Sequence, residues 1–271
     1  EIKRIEYLIS DWIDTTQVSR VNSNAGVAPV KVDAEVTALA LRAIALSKLT
    51  NGAFDISFAA MEKIWRYDGT MIRMPSPQEI LKAKQFVDYR NIIIDSINNT
   101  IFLSRKGMKI GFGALGEGYA ADRCKQLMTA KGIVAGIVNG SGDMNTWGHQ
   151  PDGTAWNIGI TDPFRKGKLY AVIPLEKGAV VTSGSYEKFV ELDGKRYSHI
   201  INPATGYPAT GLTSVTVFGP GAELANGFST SIMVMGSKKG LRLLAAFPAY
   251  SCLIITDKGK FIRSRNLVLR K

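Results

Sequence analysis

Hydrophobic positions along the chain switch between the spacing of helices and the spacing of strands. Ile2, Ile5 and Leu8 recur at helical intervals, so the chain is predicted to begin inside an amphipathic helix and to lack an upstream segment. Asp33 is a candidate cap for the next helix, and the segment 76–79 (SPQE) is a capping-box pattern with proline at the first helical position. The helices predicted from these signals cover residues 36–49, 77–86, 118–131 and 223–235.

Strands are predicted where short apolar or alternating runs lie between turn residues. Asp193–Gly194 is a favoured two-residue turn pair and predicts a hairpin over 188–201, with His199 near its end. The other predicted strands cover 91–95 and 100–104 as a hairpin, 133–140 as a buried strand, 156–161, 170–175, 179–184, 213–219, and 252–264 as a final hairpin.

The predicted helices and hairpins occur in blocks rather than in strict alternation. This order favours an α+β fold with largely antiparallel sheets packed with helices. A doubly wound parallel sheet is the alternative, because Gly111, Gly113 and Gly116 match a G-x-G-x-x-G nucleotide turn. That match lacks the acidic residue expected about 20 residues further on, so it is weak.

Composition narrows the classes of partner. There are 34 Lys and Arg against 23 Asp and Glu, a formal charge of +11, which favours anionic ligands or surfaces. The basic residues are scattered and no nucleic-acid motif is present, so nucleic acid is not an expected partner. Cys124 and Cys252 are too few for a disulfide framework or a zinc cluster, and their apolar surroundings predict buried, inert thiols. No apolar run approaches the roughly 20 residues that span a bilayer, and no signal peptide is present.

Four segments place glycine and polar side chains where predicted strands end. They are 113–122, 139–148, 181–189 and 197–208. Such loops display functional groups on a rigid frame, and glycine lets a ligand approach the backbone. Each segment taken alone could equally be a turn that needs glycine.

These segments resemble the ApbE family of flavin transferases, which move FMN from FAD onto a threonine or serine hydroxyl of an acceptor protein. The matching motifs keep the family order: VSRVN (18–22), NGAFD (51–55) with Trp65 following, GALGEGYAAD (113–122), NGSGD (139–143), TSG (182–184), HIINPATGYP (199–208) and ANGFST (225–230). The resemblance implies one ApbE-like, T-fold-related domain over 1–271. The family's N-terminal strand and any signal or lipobox segment would then be missing.

The resemblance also implies roles for individual residues. His199 is similar in position to the family's proposed base, and the alternative is a histidine that merely packs at a strand end. Gly116 through its carbonyl, Asn226 and Thr230 would hold Mg²⁺. His149 is expected only to face solvent. The residues expected to bind FAD or to brace the loops around it are Asn22, Phe54, Asp55, Trp65, Tyr67, Glu117, Asp122, Asn139, Asp143, Thr182, Ser183, Gly184, Asn202, Thr205 and Gly206.

Three positions depart from the family pattern. Asn226 stands where a metal-binding Asp is common, Gly111 replaces a usual Asp or Asn, and Glu117 stands where Lys is common. An amide removes one negative charge from the site, and magnesium prefers carboxylates and phosphates. Three hypotheses stay open: Glu117 supplies the lost carboxylate, the cation binds only together with FAD, or the chain binds FAD without transferring FMN.

The expected activity is therefore Mg²⁺-dependent transfer of FMN from FAD to a Thr or Ser hydroxyl of an acceptor flavoprotein, with release of AMP. The alternatives are hydrolysis of FAD to FMN and AMP, a non-catalytic FAD-binding protein, and an interaction module whose glycine-rich turns are structural. The resemblance further implies a periplasmic or cell-surface protein, held at the bacterial inner membrane through a lipid anchor that would belong to the segment expected to be missing.

Overall fold

The computed structural model describes residues 1–165, 167–186 and 188–267. The chain divides into two compact units. Unit 1 comprises Glu1–Ala114 and Lys188–Ala209, and unit 2 comprises Leu115–Glu187 and Thr210–Lys271. The single domain stays a prediction, because two compact units of one chain can still unfold in one cooperative step.

Unit 1 combines helices with two small antiparallel sheets. Its helices are α1 (Ile2–Ile9), α2 (Gln17–Ser23), α3 (Ala34–Leu49) and α4 (Pro77–Lys84), with 3-10 helices at Ile56–Lys63 and Tyr89–Asn91. One sheet has the order β1 (Val30–Lys31), β3 (Thr100–Leu103), β2 (Ile92–Asp95), and the other pairs β9 (Phe189–Leu192) with β10 (Lys195–Ser198).

The N-termini of two helices in unit 1 test the capping residues that the sequence predicts. The capping box is confirmed: Ser76 Oγ accepts from the Glu79 N–H at 3.2 Å, and Glu79 Oε2 accepts from the Ser76 N–H at 2.7 Å. The helix ends at Lys84, slightly before the predicted end. Asp33 does occupy the cap position of α3, but its carboxylate accepts from Gln17 Nε2 at 2.6 Å instead of capping the helix. The Asp33 carboxylate therefore bonds Gln17 of α2 rather than the N-terminal backbone of α3, as the local pattern had predicted.

The β9–β10 hairpin is the element that carries His199. Asp193 and Gly194 both have positive φ, +52° and +70°, as a tight two-residue turn requires, so the predicted turn is confirmed. The pairing runs from Leu192 opposite Lys195 to Phe189 opposite Ser198. His199 therefore lies one residue beyond the last paired position.

Unit 2 is a six-stranded antiparallel sheet with helices and a two-stranded ribbon. The strand order is β13 (Phe261–Arg263), β12 (Ser251–Thr256), β11 (Leu212–Gly219), β8 (Gly178–Gly184), β5 (Asp143–Trp147), β4 (Gly136–Gly140). The ribbon pairs β6 (Trp156–Thr161) with β7 (Leu169–Leu175), and the helices are α5 (Gly116–Ala130), α6 (Ala222–Met235) and α7 (Ser237–Leu244). Antiparallel sheets with helices in both units confirm the predicted α+β fold.

The core of unit 2 fixes α6 against the sheet. The ribbon contributes Ile158, Ile160 and Ile173 to an apolar cluster with Val180 and Phe218 of the sheet. Helix α6 packs against β8, β11 and α5, and most of its residues are buried. Each large apolar side chain buried in this way contributes about 1.5–3 kcal/mol. The polar residues of α6 are thereby held next to the ends of β5 and β8.

Several predictions about unit 2 were wrong in detail. Segment 133–140 does not form a buried strand, because β4 lies at the edge of the sheet and Ile137 is 39% exposed. Strand β5 and helix α7, like α2 in unit 1, were not predicted. Helix α5 begins at Gly116, two residues earlier than expected. Cys252 is buried as predicted, whereas Cys124 is only half-buried.

Among the described helices, none has both the length and the apolar character needed to cross a bilayer.

Candidate functional site

The backbone of the hairpin orients the His199 ring. The carbonyl of Lys188 accepts from the His199 N–H at 3.0 Å and lies 2.9 Å from Nδ1 of the same residue. A carbonyl oxygen can only accept, so Nδ1 carries the hydrogen of the neutral ring. The lone pair of neutral His199 is therefore on Nε2, the ring nitrogen that does not contact the Lys188 carbonyl.

Burial and charge both favour the neutral form of that ring. Burial lowers the pKa of His199 below its ordinary value of 6.5, and the charge of Lys188 acts in the same direction, against the opposing hydrogen bond to the Lys188 carbonyl. The Tyr67 ring meets the imidazole edge-on, with centroids 6.3 Å apart, and its hydroxyl donates to the Ser198 carbonyl at 2.7 Å. Burial raises the pKa of Tyr67, so this hydroxyl stays a donor. Tyr67 thus braces the end of β10, directly before His199.

The turn after His199 is held by its own backbone and by Trp65. Asn202 Oδ1 accepts from the Ala204 N–H at 2.9 Å, and Thr205 Oγ1 accepts from the Tyr207 N–H at 3.2 Å. Trp65 Nε1 donates to the Gly206 carbonyl at 2.8 Å. Gly206 has φ +75°, and a Cβ there would lie 2.7 Å from Ile80, so glycine is required. Trp65 is 1% exposed, and stacking on a flavin would require its neighbours to move.

The other candidate residues of unit 1 brace the backbone. Asn22 donates to and accepts from Ile110, at 2.9 and 2.8 Å. Phe54 is buried. Asp55 caps a 3-10 helix through Ser57, and its second oxygen accepts from the Tyr89 N–H at 2.9 Å. Burial raises the pKa of Asp55, although the hydrogen bonds oppose this shift.

In unit 2, two candidate residues hold turns and helix ends. Asp122 accepts from the Ala222 and Glu223 N–H groups at 2.8 and 3.0 Å, which places a carboxylate at the positive N-terminus of α6. Asn139 Oδ1 accepts from the Gly142 N–H at 2.8 Å and closes the β4–β5 turn. Gly116 and Glu117 are the first two residues of α5, which packs on α6.

The polar groups that converge in unit 2 lie between α6 and the strand ends. Asn226 Nδ2 donates to Asp143 Oδ2, and these side chains are 6% and 4% exposed. Ser183 Oγ lies 3.3 Å from Thr230 Oγ1. Thr182 Oγ1 lies 2.8 Å from the hydroxyl of Thr216, and Gly184 ends β8.

These groups fit a hard cation. Asn226 and Thr230 are four residues apart on α6 and so share a face of the helix. Together with Asp143 they offer carboxylate, amide and hydroxyl oxygens, which are the ligand types that Mg²⁺ takes. The described residues contain no group of three or more His, Cys, Asp or Glu that could hold a metal ion, so a softer transition-metal site is not supported there.

The structure thus groups the candidates within each unit. In unit 1, His199, Tyr67, Trp65 and the 202–206 turn form one connected set, while Asn22 and Asp55 contact other backbone segments. Sequence reasoning missed Lys188, although the hairpin register already placed it opposite His199. It also missed Ser229, which is three residues after Asn226 and lies 2.7 Å from Ser183.

The chain matches known proteins along almost its whole length. The profile of the ApbE family covers residues 1–254. A relative from Treponema pallidum is 32% identical over 284 residues, covering 99% of this chain and 78% of that protein. A second, from Salmonella typhimurium, is 31% identical over 240 residues, covering 86% and 69%. Both are named FAD:protein FMN transferase.

Solved structures agree in fold. The crystal structure of the ApbE protein from Thermotoga maritima matches with a TM-score of 0.91 and 34% identity, covering 99% of this chain and 88% of that one. The flavin transferase ApbE from Vibrio cholerae matches with a TM-score of 0.88 and 26% identity, covering 98% and 87%. The chain therefore belongs to the ApbE family, in which the relatives named above are transferases.

Proposed function

We propose that this protein transfers FMN from FAD to a Thr or Ser hydroxyl of an acceptor flavoprotein, with Mg²⁺ bound and AMP as the leaving group. The observation that carries the proposal is the state of His199. Its Nδ1 is committed to the Lys188 carbonyl, and burial favours the neutral ring. A neutral ring that donates through Nδ1 has the lone pair of Nε2 available, which is the state that a general base requires.

The proposed step uses that lone pair as a general base. The acceptor oxygen forms a bond to the FMN-side phosphorus of FAD while the bond from that phosphorus to the bridging oxygen breaks. The hydroxyl proton passes to His199 Nε2, and AMP leaves with the bridging oxygen. A neutral alcohol is a poor nucleophile near pH 7, so a positioned base contributes directly to the rate.

The cation's expected contribution is to neutralise charge on the pyrophosphate. Asn226, Thr230 and the Gly116 carbonyl would hold it, with Asp143 supplying a carboxylate through its contact with Asn226. The family name supports FAD as the substrate. The cation and the Thr or Ser acceptor are part of the proposal.

The test is to incubate the protein with FAD, Mg²⁺ and an acceptor flavoprotein, and to measure the acceptor by mass spectrometry. We expect the acceptor to gain the mass of one FMN less one water, with stoichiometric release of AMP. Release of free FMN without acceptor labelling would identify hydrolysis instead. Tight FAD binding with neither product would identify a binding protein.

The pH dependence should report the lowered pKa of His199. The base must be neutral to accept a proton, so lowering its pKa extends full activity toward acid. We expect kcat/KM for transfer to fall only at pH below the ordinary histidine value of 6.5. A midpoint above that value, or the same acid limb in His199→Gln, would exclude His199 as the titrating base.

A further inference from the structure

Ser229 joins the predicted cation ligands through a chain of hydroxyl groups. It is fully buried on α6, one residue before Thr230. Its Oγ donates to the Asn226 carbonyl at 2.9 Å and lies 2.7 Å from Ser183 Oγ. Ser183 Oγ in turn lies 3.3 Å from Thr230 Oγ1. The chain thus runs from one predicted ligand, Thr230, back to the backbone of the other.

Each hydroxyl has a single hydrogen, and this fixes the direction of the chain. The hydrogen of Ser229 is committed to the Asn226 carbonyl, so Ser183 must donate to Ser229. Ser183 then has no hydrogen left for Thr230, so the contact between them is made with Thr230 as the donor. The hydrogen of Thr230 points toward Ser183, and its lone pairs point away.

We infer that Ser229 is a positioning residue that keeps the Thr230 oxygen available as a cation ligand. A hydroxyl binds a cation through a lone pair, so its own hydrogen must be directed elsewhere. Without the Ser229 acceptor, the Ser183 hydrogen can turn toward Thr230 and occupy that lone pair. The inference rests on the proposed function, because it requires a cation at Thr230.

The alternative is that the Ser229 hydroxyl only forms its own hydrogen bond within the helix. Buried helical serines often do this by donating to a carbonyl one turn back. Ser231 provides the matched control for that role. It is also fully buried on α6, and its Oγ donates to the Gly227 carbonyl at 2.5 Å. Positions two residues apart on an α-helix differ in direction by about 200°. The Ser231 side chain therefore projects from α6 in a different direction from that of Ser229.

The experiment compares Ser229→Ala with Ser231→Ala in the full chain saturated with FAD. Mn²⁺ is titrated as a spin probe, and free Mn²⁺ is counted by electron paramagnetic resonance. We expect the dissociation constant to rise about three- to tenfold in Ser229→Ala, the effect of one hydrogen bond, and to change less than twofold in Ser231→Ala. Urea unfolding of both variants checks that each folds. If Ser229→Ala is unstable, Ser229→Cys replaces it in the titration. Its thiol occupies a similar space but is a weak acceptor, so Mn²⁺ affinity should fall by the same factor.

Equal Mn²⁺ affinity in wild type and Ser229→Ala would overturn the inference, as would equal weakening in both alanine variants. Absence of saturable Mn²⁺ binding in the wild type would overturn it together with the proposed cation site. Failure of FMN transfer is a separate result. If Mn²⁺ binds and Ser229→Ala alone weakens it, the positioning role stands even when no acceptor is labelled.

Discussion

Replacing His199 with alanine is expected to lower the rate of FMN transfer by about 100- to 10,000-fold, the range that a positioned general base contributes. FAD affinity should change little, because the proposed role begins only when the acceptor hydroxyl is deprotonated. The measurement is the rate of acceptor labelling at saturating FAD, with FAD binding followed separately by flavin fluorescence.

His149→Ala is the matched control, since it removes the other histidine of the chain. His149 Nε2 lies 3.6 Å from Glu176 Oε2, and both side chains are well exposed. That variant should transfer FMN at the wild-type rate. Wild-type transfer by His199→Ala would refute the base assignment, whereas loss of FAD binding in that variant would give the residue a binding role instead.

Replacing Asn226 with aspartate should have opposite effects on stability and on cation affinity. The substitution removes the amide that donates to Asp143 and places two carboxylates in contact at a site where both residues are almost fully buried. Without a cation, we expect the free energy of unfolding to fall by about 1–3 kcal/mol near pH 7. With saturating Mg²⁺ the loss should disappear, and cation affinity should rise on the order of tenfold.

The direction in which the stability of Asn226→Asp changes with pH follows from protonation of the paired carboxylates. Two carboxylates in contact are costly when both are ionised, so the folded variant binds a proton more readily than the unfolded chain. Its stability deficit should therefore shrink as the pH falls from about 7 to about 5. Urea unfolding in EDTA and in Mg²⁺, at both pH values, measures these effects.

Asn145→Asp is the control for this substitution. Asn145 is also buried, and its Nδ2 donates to Asp122 Oδ1 at 2.5 Å. Its variant also places two carboxylates in contact, although Lys125 Nζ, which donates to Asn145 Oδ1 at 2.6 Å, offsets part of the loss of stability; Mg²⁺ should not restore the rest. If Mg²⁺ leaves Asn226→Asp as unstable as EDTA does, the cation does not bind there. Glu117→Gln in the same titration tests whether Glu117 supplies the missing carboxylate: unchanged Mg²⁺ dependence would exclude that role.

The sequence was most informative where an element depends on near neighbours. The β9–β10 hairpin follows from Asp193–Gly194 and the residues on either side, and the start of α4 follows from four consecutive residues. In such elements the stabilising contacts are close along the chain, so the local pattern determines the backbone. The family motifs likewise named several of the residues that the structure groups around His199 and on α6, but not Lys188 or Ser229.

The local sequence pattern did not predict contacts between segments that are distant along the chain. Asn226 meets Asp143 across 83 residues, and Ser183 meets Ser229 across 46. Asp33 lost its capping role to Gln17, and Ile137 is exposed because the strand order puts β4 at an edge. None of these depends on the identity of adjacent residues.

By itself, the sequence determined the α+β class, most helices and strands, the family, and a histidine that follows a hairpin strand. Only the tertiary structure determined which atoms of those residues form hydrogen bonds and which side chains are buried. Packing of α6 against β8 set the hydroxyl chain, packing of α6 against β5 set the Asn226–Asp143 contact, and burial lowered the pKa of His199. The reason is physical: propensity and turn geometry act over a few residues, whereas burial and hydrogen-bond partners are fixed only when distant segments pack together.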